Sequence, residues 1–174
     1  MQILFVCTGN ICRSPIAERL SAKFLADREL VGIQTVSAGT RAVIGHPIHE
    51  SAAQVLRQFG GDPSGFTARQ LTTRIAGEAD LILTMTTAHR DRTLELAPTM
   101  LNRTFTLAEA SGIVQKLEVR SVADFARQRP FLAGSDMPDI DDPIGQERHV
   151  FAEVGRRIAE LLWPVLAACA RSDR

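Results

Sequence analysis

Cys7 and Arg13 stand on either side of a short loop in the stretch "ILFVCTGNICRSPIAERL", residues 3 to 20. A thiol and a guanidinium so spaced suit chemistry on a bound anion. The apolar run ends in "TGN", and "SPIAERL" then begins a helix, so the loop feeds directly into a helix N-terminus. Successive backbone N–H groups in such a loop can converge on one anion, with the positive end of the helix dipole behind them. Gly9 and Asn10 both tolerate the left-handed backbone that turns amides inward. Arg13 adds a planar fork of donors matched to two phosphate oxygens. At the strand's end, Cys7 lies at the bottom of this cradle, where the amides, the dipole, Arg13 and the Ser14 hydroxyl all favour a thiolate. A thiolate beneath a phosphoryl group is a nucleophile, and the departing oxygen then needs a proton from a carboxylic acid. The acidic loop "DMPDIDDPIG" offers Asp136, Asp139, Asp141 and Asp142.

Plainer readings compete. Cys7 and Cys12 can be small buried residues, since free cysteine is often buried. A zinc site lacks a second Cys or His pair at ligand spacing, and neither a G-x-G-x-x-G nor a Walker pattern is present. His46, His49, His89 and His149 read as surface or helix-end residues, and an acidic Asp-Pro loop is commonly a solvated turn.

The elements that must hold these residues follow from the hydropathy pattern. "ILFVC", "IQTVSAG" (33 to 39), "ADLILTM" (79 to 85) and "RTFTLAE" (103 to 109) read as strands. Between them, a helix starts at Ser14 as N-cap with Pro15 in the first position, "HESAAQVLRQFG" is a helix stopped by Gly60 and Gly61, and "TAHRDRTLELA" is a third. From Gly112 to Gln146 the pattern weakens, apart from a short helix at "VRSVADFARQ". The segment "RHVFAEVGRRIAELLWPVLAACA" closes the chain as a long helix with Pro164 as a candidate kink. The alternation predicts an α/β fold: a three-layer sandwich with a central four-stranded parallel sheet flanked by helices, and a phosphate-binding loop between strand 1 and helix 1.

With 174 residues, 45% of them hydrophobic, the chain has the size of one domain. Twenty basic residues balance twenty acidic ones, so no net field draws it to nucleic acid or a membrane surface. An odd number of cysteines and no leader or spanning segment point to a reduced, cytoplasmic setting.

"VCTGNICRSP" resembles the signature loop of the low-molecular-weight protein tyrosine phosphatases, and "DDPIG" resembles that family's late Asp-Pro loop. "SAGT", "FTARQLT" and "ADLILTM" follow in the family's order, so the resemblance spans nearly the whole chain. It implies one phosphatase domain over residues 1–174 that acts on protein phosphotyrosine through a phosphocysteine, with no metal and no cofactor. Cys7 would attack phosphorus, while Arg13 and the loop of Thr8, Gly9, Asn10, Ile11, Cys12 and Ser14 hold the phosphoryl group. Asp142 matches the general acid that later activates water, with Asp141 second and Asp139 third. Asn10, Ser14 and Ser37 match a supporting hydrogen-bond network. Cys12 matches a cysteine that can form a reversible disulfide with the nucleophile, beside its plainer reading as a packed apolar residue.

Two departures from the family pattern stand out. Relatives that use phosphotyrosine commonly carry aromatic walls where this chain has Ile144, Gly145 and "TRAVIGH", and there is no tyrosine at all. A substrate ring is therefore expected to pack on Ile11, Ile144 or Arg41. Phe66 stands where some relatives have a histidine bonded to the loop asparagine, so Asn10 needs another partner. Three further functions bear on the same residues. A related branch that dephosphorylates arginine has threonine in place of Ile11, and arsenate reductases of similar fold need two cysteines that are missing between Cys12 and Cys169. A phosphate-dependent binding module would keep the cradle without turnover.

Overall fold

Residue alternation along the first strand decides how the layers form. In the computed structural model, which describes residues 1–132 and 137–172, β1 (Gln2–Cys7) points Ile3, Phe5 and Cys7 into one core and Leu4 and Val6 into another. It lies inside a parallel sheet with β2 (Gln34–Gly39), β3 (Leu81–Thr84) and β4 (Thr104–Thr106), in the order β2-β1-β3-β4. A central parallel strand must be covered on both faces, which is why "ILFV" carries no polar residue.

The first core takes Ile16 and Leu20 of α1 (Arg13–Asp27) and Ala52 and Leu56 of α2 (Glu50–Gln58). It also takes Ile113 of α5 (Leu107–Lys116), Phe125 of α6 (Val122–Gln128), and Ile158 and Leu162 of α7 (Arg148–Ser172). The second is smaller, closed by Ile75 and Ala76 of α3 (Thr73–Gly77) and by Ala97 and Met100 after α4 (Thr87–Leu96). The chain reverses direction across the sheet between β1 and β3, and the loops leaving their carboxyl ends open a crevice there.

Several local expectations are corrected. Ser14 is not the N-cap of α1; Cys12 is, without a side-chain cap, because the Ser14 hydroxyl is bonded to Cys7 and Asn10 instead. The strand expected over 103 to 109 ends at Thr106, where a capping box with Glu109 starts α5. Neither α5 nor α3 was foreseen. Pro164 lies inside α7 as expected, and Leu161, Leu162, Val165 and Leu166, buried on both sides of it, carry the helix past the missing N–H. Among the described residues no helix is long and apolar enough to cross a membrane. Asp136 lies outside the described residues.

Candidate active site

Backbone carbonyls show how the loop after β1 is oriented. Cys7 O accepts from Thr40 N–H (2.9 Å), Thr8 O from Arg41 N–H (3.0 Å), Gly9 O from Val43 N–H (2.9 Å) and Ile11 O from His49 N–H (2.7 Å). All four donors belong to the segment after β2. In a trans peptide the N–H points away from the C=O of the same unit, so the amides of Thr8, Gly9, Asn10 and Cys12 are turned away from that segment. An anion cradle needs amides left unspent on the neighbouring segment in this way. Asn10 is left-handed, with φ of 55°, as expected; Gly9 is not, so only one of the two residues supplies that turn. The close approach of the segments needs Gly39, where a Cβ would collide with the Thr8 carbonyl oxygen.

Behind the loop, hydrogen bonds run in one determinate direction. Asn10 Oδ1 accepts from Arg69 N–H (2.9 Å), which fixes the amide orientation, and Nδ2 then donates to Ser14 Oγ (2.9 Å) and Ser37 Oγ (2.8 Å). Ser14 is fully buried, accepts from Asn10 and has its Oγ 2.9 Å from the Cys7 sulfur, within reach to donate its hydroxyl hydrogen to a thiolate there. Ser37 donates in turn to Glu18 (2.6 Å), whose carboxyl is pushed above its ordinary range by burial, with the Ser37 bond opposing. The place of the absent histidine is thus filled by a backbone N–H. Phe66 is buried beneath the Arg19 guanidinium, 5.6 Å from its ring centroid.

Arg13 is buried and joins the loop to the acidic segment. Nη1 donates to Ile140 O (2.9 Å) and Nη2 to Asp142 Oδ2 (2.6 Å). Two of its five N–H groups are used there, and the others remain for an anion. Asp142 is half exposed, and its other oxygen accepts from Ile144 N–H (3.2 Å). Asp139 is committed elsewhere: its two oxygens accept from Thr87 N–H (2.8 Å) and Thr87 Oγ–H (3.0 Å) at the start of α4. Asp141 is exposed and does not line the cavity.

Cys7, Cys12, Arg13 and Asp142 face a cavity of about 300 Å³ whose rim carries Ile11, Arg41, Val43 and Ile144. Cys7, Cys12 and Cys169 are not in disulfides. Cys12 is pushed up to about 12 by burial first, then by the negative charges of Cys7 and Asp142, against the pull of Arg13, so it stays a thiol. Among the described residues no cluster of three His, Cys, Asp or Glu side chains can hold a metal ion. Glu18, Gly39, Arg69 and His89 are contributors that the sequence reading did not single out. His89 is at a helix end, as expected, but buried, with its ring against Thr8 of the loop.

The arrangement matches known proteins over most of its length. The family model for low molecular weight phosphotyrosine protein phosphatase matches residues 2–124. A Klebsiella pneumoniae protein described as a low molecular weight protein-tyrosine-phosphatase is 34% identical over 163 residues, covering 92% of this chain and 93% of its own. The crystal structure of the Erwinia amylovora tyrosine phosphatase AmsI superposes with a TM-score of 0.74 at 27% identity, covering 97% of this chain and 92% of that one. The YwlE arginine phosphatase from Geobacillus stearothermophilus gives 0.73 at 30% identity, covering 95% and 90%. The chain belongs to the low molecular weight phosphotyrosine protein phosphatase family.

Proposed function

We propose that residues 1–174 act as one phosphatase domain that hydrolyses phosphotyrosine in cytoplasmic proteins, with Cys7 as nucleophile, Arg13 as phosphate binder and Asp142 as general acid. The observation that carries the reading is the triple meeting of the Cys7 sulfur, the Arg13 fork and the Asp142 carboxyl in one cavity. The sulfur attacks phosphorus while the loop amides and the free N–H groups of Arg13 hold the phosphoryl oxygens. Asp142 gives its proton to the departing phenolate and takes one from the water that then cleaves phosphocysteine. Ser14, Asn10 and Ser37 hold the thiolate and the loop in place. A free thiol nucleophile suits a reducing compartment. The reversible disulfide with Cys12 belongs to the same reading: oxidation of Cys7 to the sulfenic acid removes one of the charges that hold Cys12 as a thiol.

A phenyl ring fits the rim better than a guanidinium does. Ile11, Val43 and Ile144 present apolar sides, and Arg41 attracts a ring face but repels a cation. The structural similarity to an arginine phosphatase is nevertheless as strong as that to a tyrosine phosphatase, so phosphoarginine is the second substrate to test.

The test is hydrolysis of p-nitrophenyl phosphate and of phosphotyrosine, phosphoserine and phosphoarginine peptides, with a chelator present. Wild type is expected to prefer phosphotyrosine, Cys7→Ser to lose turnover, and Asp142→Asn to slow phosphotyrosine about 100-fold while slowing the activated aryl ester less. Preference for phosphoarginine would replace the substrate, and phosphopeptide binding without turnover by wild type would make the chain a binding module.

A further inference from the structure

His89 is a buried titratable side chain that the chemistry above leaves unused. It occupies the first turn of α4, where its backbone N–H donates to Thr86 Oγ1 at 3.1 Å. The same Thr86 oxygen lies 2.8 Å from ring Nδ1, and the opposite ring nitrogen, Nε2, lies 2.8 Å from Thr8 Oγ1. Thr8 lines the cavity with Cys7 and Arg13. The ring therefore bridges the start of α4 and the phosphate loop, across 81 positions of sequence.

Resting on the reading of that cavity as the phosphoryl site, we infer that His89 is a positioning residue: its ring, bridging Thr86 to Thr8, fixes the Thr8 hydroxyl so that its hydrogen is directed at the bound phosphoryl group. Burial, and after it the charge of Arg13, push the imidazole down to about 4, while Asp142 and Asp139 oppose weakly, so the ring is uncharged near neutral pH. An uncharged imidazole has one donor and one acceptor nitrogen. In the inferred tautomer Thr86 Oγ1, which already accepts the backbone N–H of His89, gives its own hydrogen to Nδ1, 2.8 Å away. Nε2–H then donates to Thr8 Oγ1, and the Thr8 hydroxyl hydrogen is left for an acceptor in the cavity.

The same junction also holds the acid segment. Thr87 binds Asp139, and Met85 O accepts from Ile140 N–H at 2.9 Å, next to Asp142. One short segment thus grips the phosphate loop through His89 and the acid through Thr87 and Met85. The hydrogen bond to the loop is made by the His89 side chain, whereas the cap of α4 is the bond from the His89 backbone N–H to Thr86 Oγ1, which a substitution of the side chain retains.

The experiment compares His89→Phe, His89→Gln, Thr8→Val and the double variant His89→Phe/Thr8→Val, reading kcat/KM for p-nitrophenyl phosphate and the affinity for inorganic phosphate by calorimetry. His89→Phe is expected to weaken both about tenfold, the size of one directed hydrogen bond, and His89→Gln, whose amide can still donate, to recover most of the loss. Thr8→Val should match His89→Phe, and the double variant should be no worse than either single one, because both break the same link. Wild-type values in His89→Phe, losses that multiply in the double variant, or a Gln variant as weak as Phe would each overturn the assignment. Phosphate affinity needs no turnover, so it tests His89 even if wild type hydrolyses none of the substrates.

Discussion

Asp139 and Asp142 sit three positions apart in a run of acidic residues, and their surroundings give them different work. Both oxygens of Asp139 are taken by Thr87 at the start of α4, where a carboxylate also favours the helix dipole. Asp142 faces the cavity and has one oxygen on Arg13. Asp139→Asn should therefore cost stability, about 1 kcal/mol in urea unfolding, and leave kcat within a few-fold of wild type. A crippled Asp139→Asn beside an active Asp142→Asn would reverse the assignment. Composition and spacing were enough to propose Cys7, Arg13 and an aspartate of the late acidic loop, because each is the residue type its step requires, and the resemblance to the family then put Asp142 first. They were not enough to separate Asp139 from Asp142, since two carboxylates in one loop differ only in what they touch.

At the scale of elements, the phosphate loop keeps its shape because the segment after β2 occupies its carbonyls. Gly39 is the position that lets the two backbones meet, so Gly39→Ala should shift the loop and lower kcat/KM by more than tenfold while the protein still unfolds cooperatively. A Gly39→Ala enzyme with wild-type kinetics would show that the loop tolerates a Cβ there. β1 was legible from its unbroken apolar run, and α2 from its spacing and the glycines after it. α5 was not, because Ala108, Ala110, Ser111 and Gly112 bury a face too small to produce an apolar stripe. Its one clear signal was the capping pair Thr106 and Glu109, which sat inside a stretch read as strand.

For the molecule as a whole, the buried His89 makes stability depend on acidity. Unfolded, its imidazole titrates at about 6.5; folded, at about 4, so between these values the unfolded chain binds the extra proton. The contribution is complete above pH 6.5 and is lost as pH falls toward 4, by up to about 3 kcal/mol. Urea midpoints for wild type and His89→Gln at pH 7 and pH 4.5 should show a smaller drop in the variant, and equal drops would mean that the ring is charged in the folded state. The sequence by itself determined the fold class, through local hydropathy, and the family, through its motifs, and short-range spacing put forward Cys7 and Arg13 as candidate nucleophile and phosphate binder. Only the tertiary structure decided which aspartate faces the cavity, that a backbone N–H replaces the missing histidine at Asn10, and that His89 touches Thr8. Those contacts join residues 59, 81 and 129 positions apart, and the order of strands in the sheet brings them together where no local pattern could announce them.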